Sequence, residues 1–248
     1  MFAAQSLAHA APRLIWPAAY GLILLGWLGL FAMVPAEADR PPGFWEALCV
    51  GAGAAGFGTL WAMWALMAIA MMLPTFLPAL RTYLGLGAVG ASDGRGAAAL
   101  IAGYVAVWIG AASVGAAAQM ALARLPEVAG AEAGLLVLAG LYQFSRMKSA
   151  CLSKCRMPLT FFMERWRPGA LHAFRMGAEL GVICLGCCWA LMALGLIGGA
   201  MNLLWMGAAT LFMALEKLPD IGRPLTRPAG WALIGAGGMA ALAAGNVI

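Results

Sequence analysis

The sequence Cys184-Leu185-Gly186-Cys187-Cys188-Trp189 lies inside an apolar run that extends from about residue 174 to about residue 195. A run of about 20 apolar residues has the length of a membrane-spanning helix. On such a helix, which turns by about 100° per residue, the three thiols fall within an arc of roughly 100°. The stretch therefore predicts a transmembrane helix that presents a cluster of sulfur atoms on one side.

The composition of the whole chain supports a membrane protein. Of its 248 residues, 64% are hydrophobic and only 10% are charged, which is far more apolar than a soluble domain of this length requires. The formal net charge of +5 does not indicate a nucleic-acid partner, because the basic residues are concentrated in particular loops. We therefore expect an all-α integral membrane protein whose residues 1–248 form a single transmembrane domain in a lipid bilayer.

The apolar runs predict a bundle of about seven transmembrane helices. Their approximate bounds are 14–34, 54–80, 97–123, 133–155, 173–195, 200–217 and 230–247. The fourth helix is expected to continue through the polar segment that follows its apolar part, until Pro158 stops it. Small residues one turn apart in the third span, Ala106 with Gly110 and Ala111 with Gly115, permit close contact with another helix in lipid.

The charges of the loops predict the orientation. The loops at 81–96, 145–172 and 216–228 are basic, whereas those at 35–53 and 124–132 are acidic on balance. Basic loops of membrane proteins tend to remain on the cytoplasmic side. A seven-helix topology with a cytoplasmic N-terminus satisfies this rule at all five loops, so we expect that orientation.

A second pair of cysteines, Cys151 and Cys155, repeats the one-turn spacing on the fourth span. Thiolates bind soft metals, and disulfides are rare on the reducing side of the membrane. The five thiols together predict a metal site in which copper is favoured over zinc or an iron-sulfur cluster; they are Cys151, Cys155, Cys184, Cys187 and Cys188. The alternative is that they are small apolar packing residues. Counting residues along the helices leaves open one shared site or two sites at different depths.

Six other residues are candidates for additional ligands or for neighbours of the site: Met67, Met71, Lys148, His172, Glu179 and Glu216. The two methionines lie one turn apart and offer either thioether ligands for Cu(I) or flexible core packing. Lys148 lies one turn before Cys151, where its charge would stabilise a thiolate.

The other three candidates are ionisable, and an ionisable side chain at membrane depth is a functional candidate because its burial is costly. Each also has an ordinary interpretation. Glu179 lies one turn from Arg175 and would pair with it, His172 would lie at the membrane interface, and Glu216 with Lys217 would anchor a helix end.

Several segments also resemble a known family. They are Trp64-Ala65-Leu66-Met67-Ala68-Ile69-Ala70-Met71-Met72-Leu73-Pro74, Leu141-Tyr142-Gln143, the segment from Lys148 to Pro158, the segment from Cys184 to Met192, Met201-Asn202 and Glu216-Lys217. The chain after about residue 55 resembles a bacterial family of integral membrane proteins described as predicted metal-binding, although it departs from the family pattern at 144–147. The resemblance implies a multi-pass protein of the bacterial inner (cytoplasmic) membrane with a metal role.

These features predict a membrane metal-binding protein that acts in metal transport, delivery or metalloenzyme assembly, and not an enzyme. Its partners would be a metal donor, a metal acceptor or a membrane complex. One alternative is a membrane thiol-disulfide oxidoreductase that passes electrons to a quinone. The other is a structural subunit of a membrane complex.

Overall fold

The computed structural model describes residues 2–33, 56–89, 93–122, 130–196 and 203–245. Nearly all of these residues are helical and none of them forms a strand, so the all-α prediction is confirmed. The helices are α1 (Phe2–Ala32), α2 (Phe57–Gly85), α3 (Gly94–Leu122), α4 (Ala131–Tyr142), α5 (Arg146–Arg156), α6 (Pro158–Arg165), α7 (Ala170–Ala193), α8 (Leu203–Glu216) and α9 (Pro219–Gly245). The loop at 35–53 and the segment Met201-Asn202 lie outside the described residues.

Four helical segments are long and apolar enough to cross a membrane. They are Leu14–Ala32 of α1, the whole of α2 and of α3, and Ala170–Leu196, which is α7 with the 3-10 turn that follows it. Their outer surfaces are apolar as well; for example, Leu24, Leu25 and Leu28 of α1 are 61–63% exposed. A helix that is apolar on all sides requires an apolar environment on all sides. These four helices are therefore compatible with insertion into a lipid bilayer.

Two other apolar helices, α4 and α8, are short, with 12 and 14 residues. At about 1.5 Å per residue they are roughly 18 and 21 Å long, less than the ~30 Å hydrocarbon core of a bilayer. The last residue of α4, Tyr142, donates a hydrogen bond from its hydroxyl group to the carbonyl of Gly186, which lies well inside α7. The helix therefore ends within the bundle and not at one of its surfaces.

The predicted fourth span, 133–155, is divided into two helices. Residues 143–145 separate α4 from α5, and the Ser145 side chain accepts a hydrogen bond from the backbone N–H of Lys148 at 3.0 Å. A serine that caps the first N–H groups of a helix starts a new helix at that point. The sequence analysis predicted one continuous helix because the polar residues around Ser145 are also compatible with a helix, and it did not consider Ser145 as a cap.

The helix that contains most of the predicted last span, 230–247, begins well before that span. The helix α9 begins at Pro219, so most of the predicted loop at 216–228 belongs to its first turns. Proline is favoured at the first helical position, and Asp220 in the first turn interacts favourably with the helix dipole. Pro224 and Pro228 lie inside α9 without ending it. Prolines are similarly tolerated in α2, which continues to Gly85.

The helices α3 and α7 are in very close contact. A Cβ atom at Gly103 would overlap the carbonyl oxygen of Phe174, and one at Gly177 would overlap that of Leu100. Close backbone approach at glycines is a common way for helices to pack in membranes. Of the two predicted small-residue pairs, the one with Gly115 lies close to Trp64 of α2, whereas Gly110 has no neighbour within 4 Å of a Cβ position. The contact that brings α7 to the centre of the bundle therefore involves Gly103 and Gly177.

The substitution Gly177→Ala is expected to separate α3 from α7 and to destabilise the protein by about 1–3 kcal/mol, the usual cost of overpacking. The matched control is Gly110→Ala, which adds the same methyl group to α3 in open space. Thermal unfolding of the two variants in the same detergent tests this expectation. A Gly177→Ala midpoint equal to that of Gly110→Ala would show that the close contact is not needed.

Candidate metal centre

The three cysteines of α7 form a compact group. The Sγ atoms of Cys184, Cys187 and Cys188 all lie within 4.8 Å of one another, and those of Cys187 and Cys188 are 3.3 Å apart. All three thiols are free, and their residues are at most 2% exposed. Within the described part of the chain, no other group of three or more cysteine, histidine or acidic residues approaches so closely. The helical spacing predicted from the sequence thus gives a buried sulfur cluster.

Polar groups from three other helices surround Cys184. The ammonium group of Lys217, which directly follows α8, lies 3.0 Å from Cys184 Sγ and donates to Thr75 Oγ1 at 2.6 Å. The Tyr104 hydroxyl lies 3.1 Å from the same sulfur and donates to the carbonyl oxygen of Met72 at 3.0 Å. A cation beside a sulfur stabilises its thiolate form, which is the form that binds metal. The environment of Cys184 therefore favours an anionic sulfur ligand.

The cysteines of α5 approach the cluster in different ways. Cys155 is near enough to Cys187 for their side chains to interact. The Cys151 side chain points at Gly186. A Cβ atom added to Gly186 would lie only 2.7 Å from the Sγ atom of Cys151. The two predicted cysteine groups thus lie on helices that pack against each other. Cys155 adds a fourth sulfur beside the trio, whereas Cys151 contacts the glycine of the other motif.

A cavity leads to this cluster. Its volume is about 170 Å³, and Cys155, Cys184, Tyr104, Lys217 and Thr75 are among the residues that line it. The remaining lining includes Arg156 and apolar side chains of α2 and α7. A sulfur from α5 and a sulfur from α7 therefore face the same space. This arrangement removes the difference in depth that counting along the helices had indicated, because α5 lies beside α7 and is not an extension of α4.

A buried ion pair lies next to the cluster. Lys148 Nζ and Glu216 Oε2 are 2.8 Å apart, and both side chains are 1% exposed. Arg156 donates from Nε to the backbone carbonyl of Glu216 at 2.9 Å. Lys148 thus pairs with Glu216, and Lys217 is the lysine that contacts the Cys184 sulfur. The role of Lys148 beside a thiolate stays a prediction.

The other predicted candidates lie apart from the sulfur group. Glu179 is 52% exposed and pairs with Arg165 at 2.8 Å, not with Arg175 as its spacing had indicated. His172 is half-buried near the start of α7 and does not belong to the cluster. Met67 and Met71 are 2% and 3% exposed and belong to the apolar core around α2. The assignment of any of these residues as a metal ligand stays a prediction.

Sequence reasoning missed Tyr104 and Thr75, and it treated Lys217 only as an interface anchor. Thr75 lies on α2, Tyr104 lies on α3 and Lys217 follows α8, so none of them shares a helix, or a periodic pattern, with the cysteines. The position of Lys217 could have indicated a functional role. It follows an apolar helix, and burying a lysine at membrane depth is energetically unfavourable unless its charge has a partner. Tyr104 and Thr75 carry no such signal, because both are common in apolar helices.

Comparison with known proteins identifies the family of the chain. The sequence model of PpoB2, copper chaperone, matches residues 61–240, well over half of the chain. The chain belongs to the PpoB2 copper chaperone family. The match includes both cysteine motifs of this PpoB2 chain as well as Lys217, whereas α1 precedes it. No curated protein and no solved structure matches the chain.

Proposed function

We propose that this PpoB2-family chain is a membrane copper chaperone that carries one Cu(I) ion on Cys184, Cys187 and Cys188. The observation that carries the proposal is the buried group of three free thiols within 4.8 Å of one another. Metal–thiolate bonds of about 2.3 Å, the length known for zinc, place three sulfurs around one ion roughly 4 Å apart. Small rotations of the three side chains are therefore enough to surround an ion.

A positive charge lies beside the cluster. An ion held by several thiolates carries excess negative charge, and the ammonium group of Lys217, 3.0 Å from Cys184 Sγ, offsets part of it. A buried charge requires such a partner, because desolvation otherwise makes it unfavourable. The nearby pair of Lys148 and Glu216 is already neutral and leaves this balance unchanged.

A chaperone also has to release its cargo. A closed four-sulfur site is typical of structural metals, whereas a site with three protein ligands leaves a position for an entering ligand. Here Cys155 lies beside Cys187 and lines the cavity that reaches Cys184. We assign Cys155 as the exchange ligand, through which copper passes between the trio and a donor or acceptor partner. Cys151 then positions α5 against Gly186 and does not coordinate.

The proposed topology has seven passes through the bacterial inner membrane, with a cytoplasmic N-terminus and with α4 and α5 together counted as the fourth pass. Neighbour relations support it. Gly26 lies near Ala70 and Gly29 near Leu66, so α1 and α2 are antiparallel, as the first and second passes should be. The third and fifth passes should be parallel, and α3 and α7 are. Reporter fusions at residues 90 and 126 test this topology, since they should lie on opposite sides.

Metal competition tests the chaperone proposal. The reduced protein in detergent would receive equal amounts of Cu(I) and Zn(II), and both metals would be measured after desalting. We expect about one copper ion per chain and no zinc, because soft thiolates select Cu(I). Retention of zinc in preference to copper, or of neither metal by fully reduced protein, would contradict the proposal.

The close pair of Cys187 and Cys188 also fits a thiol oxidoreductase, since their sulfurs are 3.3 Å apart. The cavity beside the cluster argues against a quinone partner. Its volume of about 170 Å³ is well below the roughly 300–1,000 Å³ of typical small-molecule sites. Copper binding is therefore the function that the site supports best.

The substitution Lys217→Met is expected to weaken Cu(I) binding by about 10- to 100-fold, because a charged hydrogen bond to the sulfur contributes roughly 1.5–3 kcal/mol. Lys154→Met is the matched control, since Lys154 is exposed on α5. Competition with a colorimetric Cu(I) chelator measures both affinities. Equal affinities of the two variants would show that Lys217 does not stabilise the copper-binding state.

A further inference from the structure

A second cavity lies between α5 and α9. Its volume is about 490 Å³, which is within the range of small-molecule sites. Its polar lining is strongly basic. The polar groups on its two sides are Lys148, Ser149 and Arg156 from α5, and Arg223, Thr226 and Arg227 from α9. This cavity is distinct from the one beside the cysteines, with which it shares only Arg156.

Within the described ranges, only one of the four cationic side chains at this cavity is paired with a carboxylate. Lys148 is paired with Glu216. Arg156, Arg223 and Arg227 form no salt bridge with a carboxylate in the described ranges of the chain. Three guanidinium groups that converge on one cavity repel one another, and an anion between them would remove that repulsion. The charge distribution therefore favours a negatively charged ligand.

Buried polar atoms without partners point to the same cavity. Gln143, in the break between α4 and α5, is 2% exposed, and neither its Oε1 nor its Nε2 atom has a hydrogen-bond partner. Arg156 Nη2 is also buried without a partner. Both residues line the cavity. Buried polar groups in native proteins are almost always hydrogen-bonded, so these atoms indicate a ligand that the protein has to bind.

We propose that this cavity binds a phosphate ester through Arg156, Arg223 and Arg227, with Gln143 as a further polar contact. Planar guanidinium groups match phosphate oxygens with pairs of parallel hydrogen bonds. The hydroxyl groups of Ser149 and Thr226 also line the cavity, where each donates its hydrogen to a backbone carbonyl, of Ser145 and of Gly222. Trp231, Phe144 and Leu152 form an apolar part of the wall, which fits the organic portion of an ester. The ester is either a phospholipid headgroup or a soluble metabolite.

The test compares Arg223→Gln/Arg227→Gln with the wild-type protein. Both arginines are exposed at the cavity, so their neutral replacements should fold. Arg175→Gln is the matched control, because Arg175 is an exposed arginine of α7 that does not line the cavity. In one arm, glycerol 3-phosphate is titrated into the full-length protein in detergent. In the other arm, lipid retention is measured in nanodiscs that contain phosphatidylglycerol and phosphatidylcholine.

We expect the double variant to bind at least tenfold more weakly than the wild type in one of the two arms, and Arg175→Gln to stay within twofold. Binding of glycerol 3-phosphate would identify a soluble ester, and selective retention of phosphatidylglycerol alone would identify a lipid headgroup. Absence of binding in both arms, or equal binding by the double variant, would overturn the proposal. Copper loading of the same samples is measured separately, so failure of this site is distinguishable from failure of the metal site.

Discussion

Simultaneous replacement of Cys184, Cys187 and Cys188 by serine should reduce bound copper from about one ion per chain to none. Serine keeps the size of each side chain but removes the soft sulfur that selects Cu(I). All three residues are at most 2% exposed and their sulfurs are within 4.8 Å of one another, so no other trio in the described part of the chain can replace them. Elemental analysis of anaerobically loaded, desalted protein measures the effect.

Two single variants on α5 serve as comparisons. Cys155→Ser should keep the copper but slow its transfer to a chelator, because Cys155 acts in exchange. Cys151→Ser makes the same chemical change at a thiol that contacts Gly186, and it should leave both loading and transfer nearly unchanged. Loss of copper from Cys151→Ser, or full loading of the triple variant, would contradict the assignment of the ligands.

The substitution Glu216→Gln should destabilise the protein by roughly 3–5 kcal/mol, because it leaves the buried ammonium group of Lys148 without a counter-charge. Lys148 and Glu216 are each 1% exposed and 2.8 Å apart. The double variant Lys148→Met/Glu216→Leu should recover most of this loss, since apolar residues can replace a buried ion pair. Denaturant unfolding in detergent measures the free energy of unfolding of each variant.

Glu179→Gln is the matched control for this prediction. It breaks the pair of Glu179 and Arg165, whose side chains are 52% and 36% exposed, respectively. Because the pair is exposed, the substitution should change the free energy of unfolding by about 1 kcal/mol or less. If Glu216→Gln had an equally small effect, the buried pair would not be required for folding. If the double variant were as unstable as the single one, the loss would reflect packing and not charge.

Much of the architecture followed from local properties of the sequence. Long apolar runs become helices in an apolar environment because each backbone N–H and C=O group must be satisfied within its own segment. The trio of α7 was predictable for the same reason, since helical geometry alone brings Cys184, Cys187 and Cys188 together. The break between α4 and α5 was not predictable. It depends on the side chain of Ser145, which caps α5, and the sequence around Ser145 is also compatible with a longer helix.

The partners of the cluster could not be predicted, because they depend on how separate helices meet. Lys148 lies one turn from a cysteine motif in the sequence, whereas Lys217 lies far from both motifs, so sequence distance did not point to Lys217. Lys217 contacts Cys184, which is 33 residues away, while Lys148 pairs with Glu216, which is 68 residues away. The helix contacts show the same limit, since α3 meets α7 at Gly103 and not at the predicted pair that includes Gly110.

Cys151 of one cysteine motif packs directly against Gly186 of the other. Because the sulfur of Cys151 occupies the space where a side chain at position 186 would begin, a larger residue at position 186 requires a smaller one at position 151. A methyl group at Gly186 would displace the Cys151 sulfur from this space. If the cysteine motif of α7 were transferred to another protein without that of α5, Gly186 would therefore lack the side chain that packs against it.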